Sequence, residues 1–385
     1  MTSSKKKAID SVKPKVLLKD ILFNRAKVEQ IASEIGRVYP SFKAREFVRE
    51  VVSKFADLEL KARISWIAEC LKKYLPSDYI KAVKILIRAL PEPNDSELSD
   101  GDFGDFIYAP YADFVANNGC TKKYLKVSLQ ALYEITQRFS VEYAIRNFIN
   151  AFPKETLKEL LIWSKDSHYH VRRLSSEGTR PKLPWAQKIA ISVAEPLMIL
   201  DKLFSDKTRF VTRSVANHIN DISKIDPEFA ISTLIKWRKS GKQKENEMDY
   251  IIRHALRTLI KVGNPEAMKL LGFDHAPRVS VSKFFVEEKV KMNTAVEFSF
   301  SITSKVDTAV IVDYIIYFQN KVGKLGSKKV FKLKKLSLVK NKTEAITKRH
   351  MFRKNMTTRT LYPGKHEIEL QINGKVFAKS TFFLK

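Results

Sequence analysis

The densest gathering of reactive side chains lies at residues 170–185, which read His-Val-Arg-Arg-Leu-Ser-Ser-Glu-Gly-Thr-Arg-Pro-Lys-Leu-Pro-Trp. Cations surround a single carboxylate here and an aromatic closes the stretch. Val171 and Leu174 fall on one side of a helix that Gly178 and Pro181 would end, which puts Glu177 in its last turn. A carboxylate there opposes the helix dipole by a few tenths to about 1 kcal/mol. Arg173, four residues before it, or Arg180 can compensate. Glu177 is therefore either half of a surface ion pair or a carboxylate kept for work on a substrate.

Glu142, in Val141-Glu142-Tyr143-Ala144-Ile145-Arg146, is a second candidate acid. By itself it says little, because it follows Ser140, an N-cap candidate, and helix starts favour any acid. Trp185 follows a Pro-rich turn, where a large aromatic is more often core than a binding platform. Arg172, Arg180 and Lys182 flank the turn and suit phosphate contact. His168 and His170 have no Cys or acid at ligand spacing, so no metal is expected. No Gly-rich nucleotide loop occurs either, and no cofactor is expected.

These residues need elements to hold them. From about residue 17 to 273 apolar positions recur at helical spacing, with Gly and Pro mainly between the blocks. The spacing predicts helices over 43–55, 61–74, 78–89, 121–139, 141–152 and 154–165. The acidic stretch 94–105, preceded by Pro91 and Pro93, reads as a loop between two helical subsets. Val171-Arg172-Arg173, Val211-Thr212-Arg213 and Ile251-Ile252-Arg253 align as a repeat of forty residues, each preceded by an apolar helix over 154–165, 195–204 or 227–237. That period belongs to HEAT-like helix pairs, which stack into a curved solenoid. Equivalent positions then face one side, so Arg173, Arg213 and Arg253 would form a row able to follow a phosphate backbone.

After residue 273 the pattern turns to alternation, as in 295–304, 308–319, 329–339 and 366–372. Asn373-Gly374 between alternating runs is a hairpin signal, since both central positions of the favoured turn need positive φ. About seven strands in this length close naturally into a β-sandwich. No Cys or Trp lies beyond Trp237, so any immunoglobulin likeness is one of architecture. The expected fold is thus mainly α plus β: a basic flexible lead-in at 1–15, a HEAT-like helical-repeat domain at 16–273, and an immunoglobulin-like sandwich at 274–385 that touches DNA.

Charge points to the partner. Seventy Lys and Arg stand against forty-two Asp and Glu, a net of +28, and residues 274–385 carry 23 of the cations against nine acids. Such an excess suits a polyanion. No run approaches the ~18 apolar residues of a spanning helix, and the charge is spread through the chain, which favours nucleic acid over a membrane. Cys70 and Cys120 are too few for a disulfide framework, and the first fifteen residues have no apolar segment of a secretory signal, so a cytoplasmic setting is expected.

The segment 170–185, with Glu-Gly-Thr-Arg-Pro-Lys-Leu-Pro-Trp intact, resembles the signature of the AlkC family of DNA alkylation repair glycosylases, relatives of AlkD in the HEAT-like superfamily. The likeness extends to 106–119, 136–148, 211–224 and 253–273, and the β-region resembles, by position and length, the immunoglobulin-like domain of one AlkC branch. The resemblance implies a monomeric, water-using glycosylase of base excision repair. It would act on double-stranded DNA carrying cationic lesions such as 3-methyladenine and 3-methylcytosine, without fully flipping the base. It also implies that Glu142 and Glu177 are the catalytic carboxylates and that Trp185 packs on the deoxyribose. The logic is sound: an alkylated cationic base already leaves well, so what remains is to stabilise an oxocarbenium-like sugar and orient water. Two other classes compete. A non-catalytic nucleic-acid binder would use the same cations, with the acids only anchoring arginines; an adaptor for acidic proteins would explain the repeat but not Glu177 and Trp185 among cations.

Overall fold

The computed structural model describes residues 17–96, 103–354, 356 and 359–385. The lead-in at 1–15 and residues 97–102 of the acidic stretch lie outside the described residues. Helices run from Leu18–Leu22 to Pro265–Leu270, and strands from Val279–Val286 to Lys375–Leu384. None of the described helices is long and apolar enough to cross a membrane.

Local chemistry sets the helix starts. Asn24, Asp78, Asp226 and Asn264 each accept a hydrogen bond from the backbone N–H three residues on, at 2.9 to 3.1 Å; a cap of this kind contributes about 1 kcal/mol. Pro153, Pro227 and Pro265 stand at the first turn, where a missing N–H leaves no bond unmade. The expected helices at 43–55, 61–74 and 154–165 are Ala44–Ser53, Leu60–Tyr74 and Pro153–Trp163. Those at 121–139 and 141–152 are shorter, Leu125–Thr136 and Ile145–Ala151. Residues 142–144 form a turn leading into Ile145–Ala151, so Glu142 stands before the first helical residue.

The repeat appears as helix pairs: Pro153–Trp163 with Tyr169–Glu177, Leu197–Leu203 with Arg209–Ile222, and Pro227–Lys239 with Glu245–Ala255. The compact units do not follow the change from helix to strand. They divide at His218 and Ile219, within the helix Arg209–Ile222, so the third pair belongs to the unit that holds the strands. In the first unit Leu160, Val171, Leu174, Leu200, Val211 and Val215 are fully buried. Each such side chain contributes roughly 1.5–3 kcal/mol of burial.

In the second unit the strands are β1 (Val279–Val286), β2 (Lys289–Val290), β3 (Ala295–Ser304), β4 (Thr308–Gln319), β5 (Leu325–Leu338), β6 (Thr343–Met351), β7 (Gly364–Ile372) and β8 (Lys375–Leu384). They form a three-stranded sheet in the order β1-β3-β6 and a five-stranded sheet in the order β2-β8-β7-β4-β5. Pairing is antiparallel except for the short parallel pair β2 and β8. Alternate residues supply the sandwich core, among them Phe298, Phe300, Val312, Tyr314, Ile368 and Leu370. Asn373 and Gly374 turn β7 into β8 with φ of 44° and 81°, the signs that the hairpin requires. Gly374 also meets Gly263 backbone to backbone, and a Cβ on Gly374 would lie 2.0 Å from the Gly263 Cα. Asn373 Nδ2 donates to the Asp274 carbonyl at 2.7 Å, so the last helices are tied to the sandwich.

Candidate active site

Glu142, Glu177 and Trp185 line one open cleft of about 280 Å³ in the first unit. Three segments bring them together: the turn before Ile145–Ala151, the end of Tyr169–Glu177, and the loop that follows it. Arg173 is the hub. Its Nη1 lies 3.5 Å from Glu142 Oε2 and its Nη2 3.8 Å from Glu177 Oε1. Nη1 also donates to Ser140 Oγ at 2.7 Å, and that hydroxyl donates in turn to Glu142. The guanidinium is held between two rings, 4.4 Å from the Phe210 centroid and 5.1 Å from that of Phe103, a cation–π arrangement that keeps water from its faces.

Glu177 has further partners. Arg180 Nη1 and Ser214 Oγ each donate to it at 2.6 Å. Its side chain is 7% exposed and that of Glu142 13%, so neither ion pair is the surface pair that the sequence also allowed. Burial and partners then separate the two acids. Burial pushes Glu142 up; Arg173 pulls it down, but the neighbouring Glu177 charge pushes it up again, and it ends above the ordinary range. Burial also pushes on Glu177, yet Arg173 and Arg180, with the hydrogen bonds from Ser214 and Arg180, outweigh it and hold this acid below the ordinary range. The cleft therefore offers one carboxylate kept ionised and one with the greater appetite for a proton.

Trp185 is 80% exposed, so it is not the core residue that its type suggests. Its φ of 62° is in the left-handed region, which a bulky side chain enters only under constraint. The constraint is visible. Lys61 donates to the Trp185 carbonyl, Tyr143 Oη donates to that of Pro184 at 3.3 Å, and buried Arg146 donates to the carbonyls of Gly178, Arg180 and Gln187 at 2.7 to 3.0 Å. The backbone at Trp185 is thereby held while its indole stands exposed on the cleft.

The cations expected on phosphates sort into different places. Arg172 is a correction: it is 7% exposed and forks onto Asp206 at 2.6 and 3.1 Å, with its other donors on Asp166, Ser167 and Thr208. All five guanidinium donors are engaged inside the protein, which leaves it a structural residue. Arg173 departs likewise from the expected row, since its charge is spent on the two acids. Arg180 is buried on Glu177, Arg213 lines the cleft half-buried, and Lys182 stands exposed on the turn. Arg253 is exposed too, but it lies in the other unit and lines a different cavity.

Phe103, Phe210, Ser214 and Asn217 line the cleft without having been singled out from the sequence. Phe210, Ser214 and Asn217 share a face of Arg209–Ile222 with Arg213, a clue that helical spacing contained. Phe103 had no such signal. Its carbonyl accepts from Ser140 N at 3.1 Å, and Gly104 bridges Phe139 with φ of 82°, where a Cβ would lie 1.8 Å from the Arg138 carbonyl oxygen. A distant loop is thereby fastened beside Glu142.

Comparison with known proteins bears on this geometry. A family model described as the C-terminal Ig-like domain of the uncharacterised protein YhaZ matches residues 280–385. The uncharacterized protein YhaZ of Bacillus subtilis (strain 168) is 32% identical over 364 residues, covering 93% of this chain and 97% of that protein. Among solved structures, the Pseudomonas fluorescens alkylpurine DNA glycosylase AlkC, bound to DNA containing an abasic site analog, is similar with a TM-score of 0.85 and 34% identity, over 96% of this chain and 99% of that one.

Proposed function

The chain belongs to the AlkC family of DNA glycosylases, in the branch with a C-terminal Ig-like domain, and from that premise we propose that it releases alkylated, cationic bases such as 3-methyladenine and 3-methylcytosine from double-stranded DNA by hydrolysis. The observation that carries this reading is the pair of carboxylates sharing Arg173 in a cleft walled by the exposed Trp185.

The chemistry follows from their different proton affinities. The C1′–N bond of a cationic lesion breaks with its electron pair going to the base, which leaves neutral and needs no acid. Positive charge grows on the deoxyribose. Glu177, kept ionised by its arginines, faces that charge with a field already in place. Water adds its oxygen to C1′, and Glu142, the better proton acceptor, takes the proton released. Trp185 packs its ring on the sugar. Arg213 and Lys182, at the rim, are the proposed phosphate contacts beside the cleft; Arg180 contributes through Glu177, and Arg253 serves DNA from the second unit. The enzyme acts as a monomer in the cytoplasm, with no cofactor in this mechanism.

The test is release of methylated base from methylated duplex DNA, with Glu142→Gln and Glu177→Gln beside the parent. Excision is expected to fall by ~10²–10³ for Glu177→Gln, while binding to DNA persists. Release at the parental rate by both variants would remove the catalytic role of these acids and favour a binding protein whose carboxylates only anchor Arg173 and Arg180.

A further inference from the structure

A second cavity, of about 900 Å³, lies wholly within residues 219–385 and takes no part in the chemistry above. Its size is that of small-molecule sites. One wall is the outer face of the five-stranded sheet. Val310, Val312, Tyr314 and Ile316 of β4 point into the sandwich core, so strand alternation turns Ile311 and Asp313 the other way, into the cavity. The facing wall is apolar, with Met248, Ile260, Leu270 and Phe273.

Asp313 is 4% exposed, and among the described residues no hydrogen bond or ion pair reaches its carboxyl group. A buried carboxylate left in that condition is costly to keep. Its cross-strand partner is Lys332, and the register shifts between Val312 and Asp313, a bulge of the kind that re-aims a side chain. Burial pushes the carboxyl up to about 6 although the Lys332 and Lys261 charges pull it down. Round the mouth the sign reverses. Lys261, Lys269, Lys332 and Lys335 are exposed, and none forms an ion pair among the described residues; Lys335 Nζ lies 5.1 Å from the centroid of the Phe273 ring, so a base on that ring would share it with this cation. Of the other two acids on the lining, Asp249 is taken by Arg238 at 2.5 Å and Glu245 is exposed.

A ligand that fits must be anionic at the mouth, flat or apolar along the wall and a hydrogen-bond donor at the floor. Free phosphate or an acidic peptide meets the mouth but is repelled by Asp313. A simple amine meets the floor but is repelled by the lysines. We propose that this cavity binds a purine nucleotide, its phosphates on Lys261, Lys332 and Lys335, its base against Phe273 and Leu270, and an N–H edge of the base on Asp313. Guanine is the base that fits best, because two adjacent N–H groups can be accepted together by the two oxygens of one carboxylate. The inference does not rest on the glycosylase chemistry, although Arg253, proposed above as a DNA contact, also lines this cavity.

The experiment uses the full chain, titrated with GTP, ATP and inorganic triphosphate by calorimetry, with Asp313→Asn, Lys332→Ala and Lys335→Ala as variants. GTP is expected to bind saturably, at least about tenfold more tightly than ATP and far more tightly than triphosphate. Asp313→Asn should lose about tenfold or more for GTP and gain for xanthosine triphosphate, whose carbonyl meets the new amide donor. Since Asn removes a buried charge without changing shape, its melting temperature should hold or rise, and base excision should stay at the parental rate. Each lysine variant should weaken GTP and ATP alike. Absence of saturable GTP binding overturns the proposal. Equal binding of GTP, ATP and triphosphate, indifferent to Asp313→Asn, overturns it too and leaves a plain anion patch. So does complete displacement of GTP by undamaged duplex with no effect of Asp313→Asn, which would make the cavity part of the DNA surface.

Discussion

Around Glu142 and Glu177 the nearest cations are buried and already matched, Arg173 to both acids and Arg180 to Glu177. Around Asp313 the lysines are exposed and form no ion pair among the described residues: Lys332 and Lys261 act on the acid only at a distance, and Lys335 lies over the Phe273 ring. Matched buried charges make a rigid field aimed at one point, suited to a transition state. Unmatched exposed charges make a diffuse attraction that salt screens, suited to a partner that comes and goes. Net charge alone would rank the second region above the first as a site; the arrangement of partners decides which can do chemistry.

The sharpest way to break this contrast is to remove the hub. Arg173→Met leaves two acids facing each other without their shared cation, and a broken buried pair of this kind loses about 3–5 kcal/mol. Lys335→Met should stay within about 0.5 kcal/mol, as exposed substitutions do. Urea unfolding of the two variants checks both, and equal losses would erase the distinction.

Next in size is the dependence of stability on pH. Glu177, held below the ordinary carboxylate value of 4.5, contributes stability that is present above that value and lost as pH falls through its lower folded value. Glu142, raised above 4.5, contributes stability that is present below that value and lost as pH rises through its folded value. Melting temperatures of Glu177→Gln should therefore lack part of the acid-side fall. Those of Glu142→Gln should lack part of the loss on the other side. An unchanged profile in both would show that the two environments do not differ.

Trp185→Ala should cut excision by about tenfold, the 1.4 kcal/mol of one good packing contact, with almost no change in melting temperature, since the ring is exposed. A large loss of stability would return Trp185 to the core residues. Smallest is Lys182→Ala, which should weaken binding to all duplexes alike and reduce the slope of log affinity against log salt by about 1. An unchanged slope would take Lys182 off the phosphate path. Charge substitutions serve better here than truncation after residue 273. The last helices are bound to the sandwich through Asn373, Gly374 and Gly263, and a cut there would expose their packed face.

Much of the architecture was legible because it rests on local rules. Asn373-Gly374 marked its hairpin, alternation marked 295–304 and 308–319 as strands, and helical spacing marked 154–165 and 227–237. The forty-residue spacing of Arg173, Arg213 and Arg253 marked the helix pairs. It misled about the arginines themselves, because equal places in a repeat have unequal neighbours: two acids and two rings at Arg173, an exposed position lining a different cavity at Arg253. Phe103 was illegible, since contacts with residues more than thirty positions away, from Gly104 to Phe139 and from Ser140 N to the Phe103 carbonyl, bring that loop to the cleft. Nothing in the alternation of 308–319 marked Asp313, whose surroundings depend on residues of the last helices across the cavity.

Sequence alone determined the order of helices before strands, the excess of positive charge and the identity of the two acids in their motifs. These depend on residue type, period and neighbours in the chain, which folding does not change. Tertiary structure alone decided which acid has the greater affinity for a proton, that Arg172 is engaged inside the protein and that Trp185 faces solvent. Those properties arise from burial and from partners that the sequence does not place together, such as Arg172 with Asp206 and Glu177 with Ser214, added to the near neighbours Arg173 and Arg180 of Glu177, and the energy of a charge is set by what surrounds it in space.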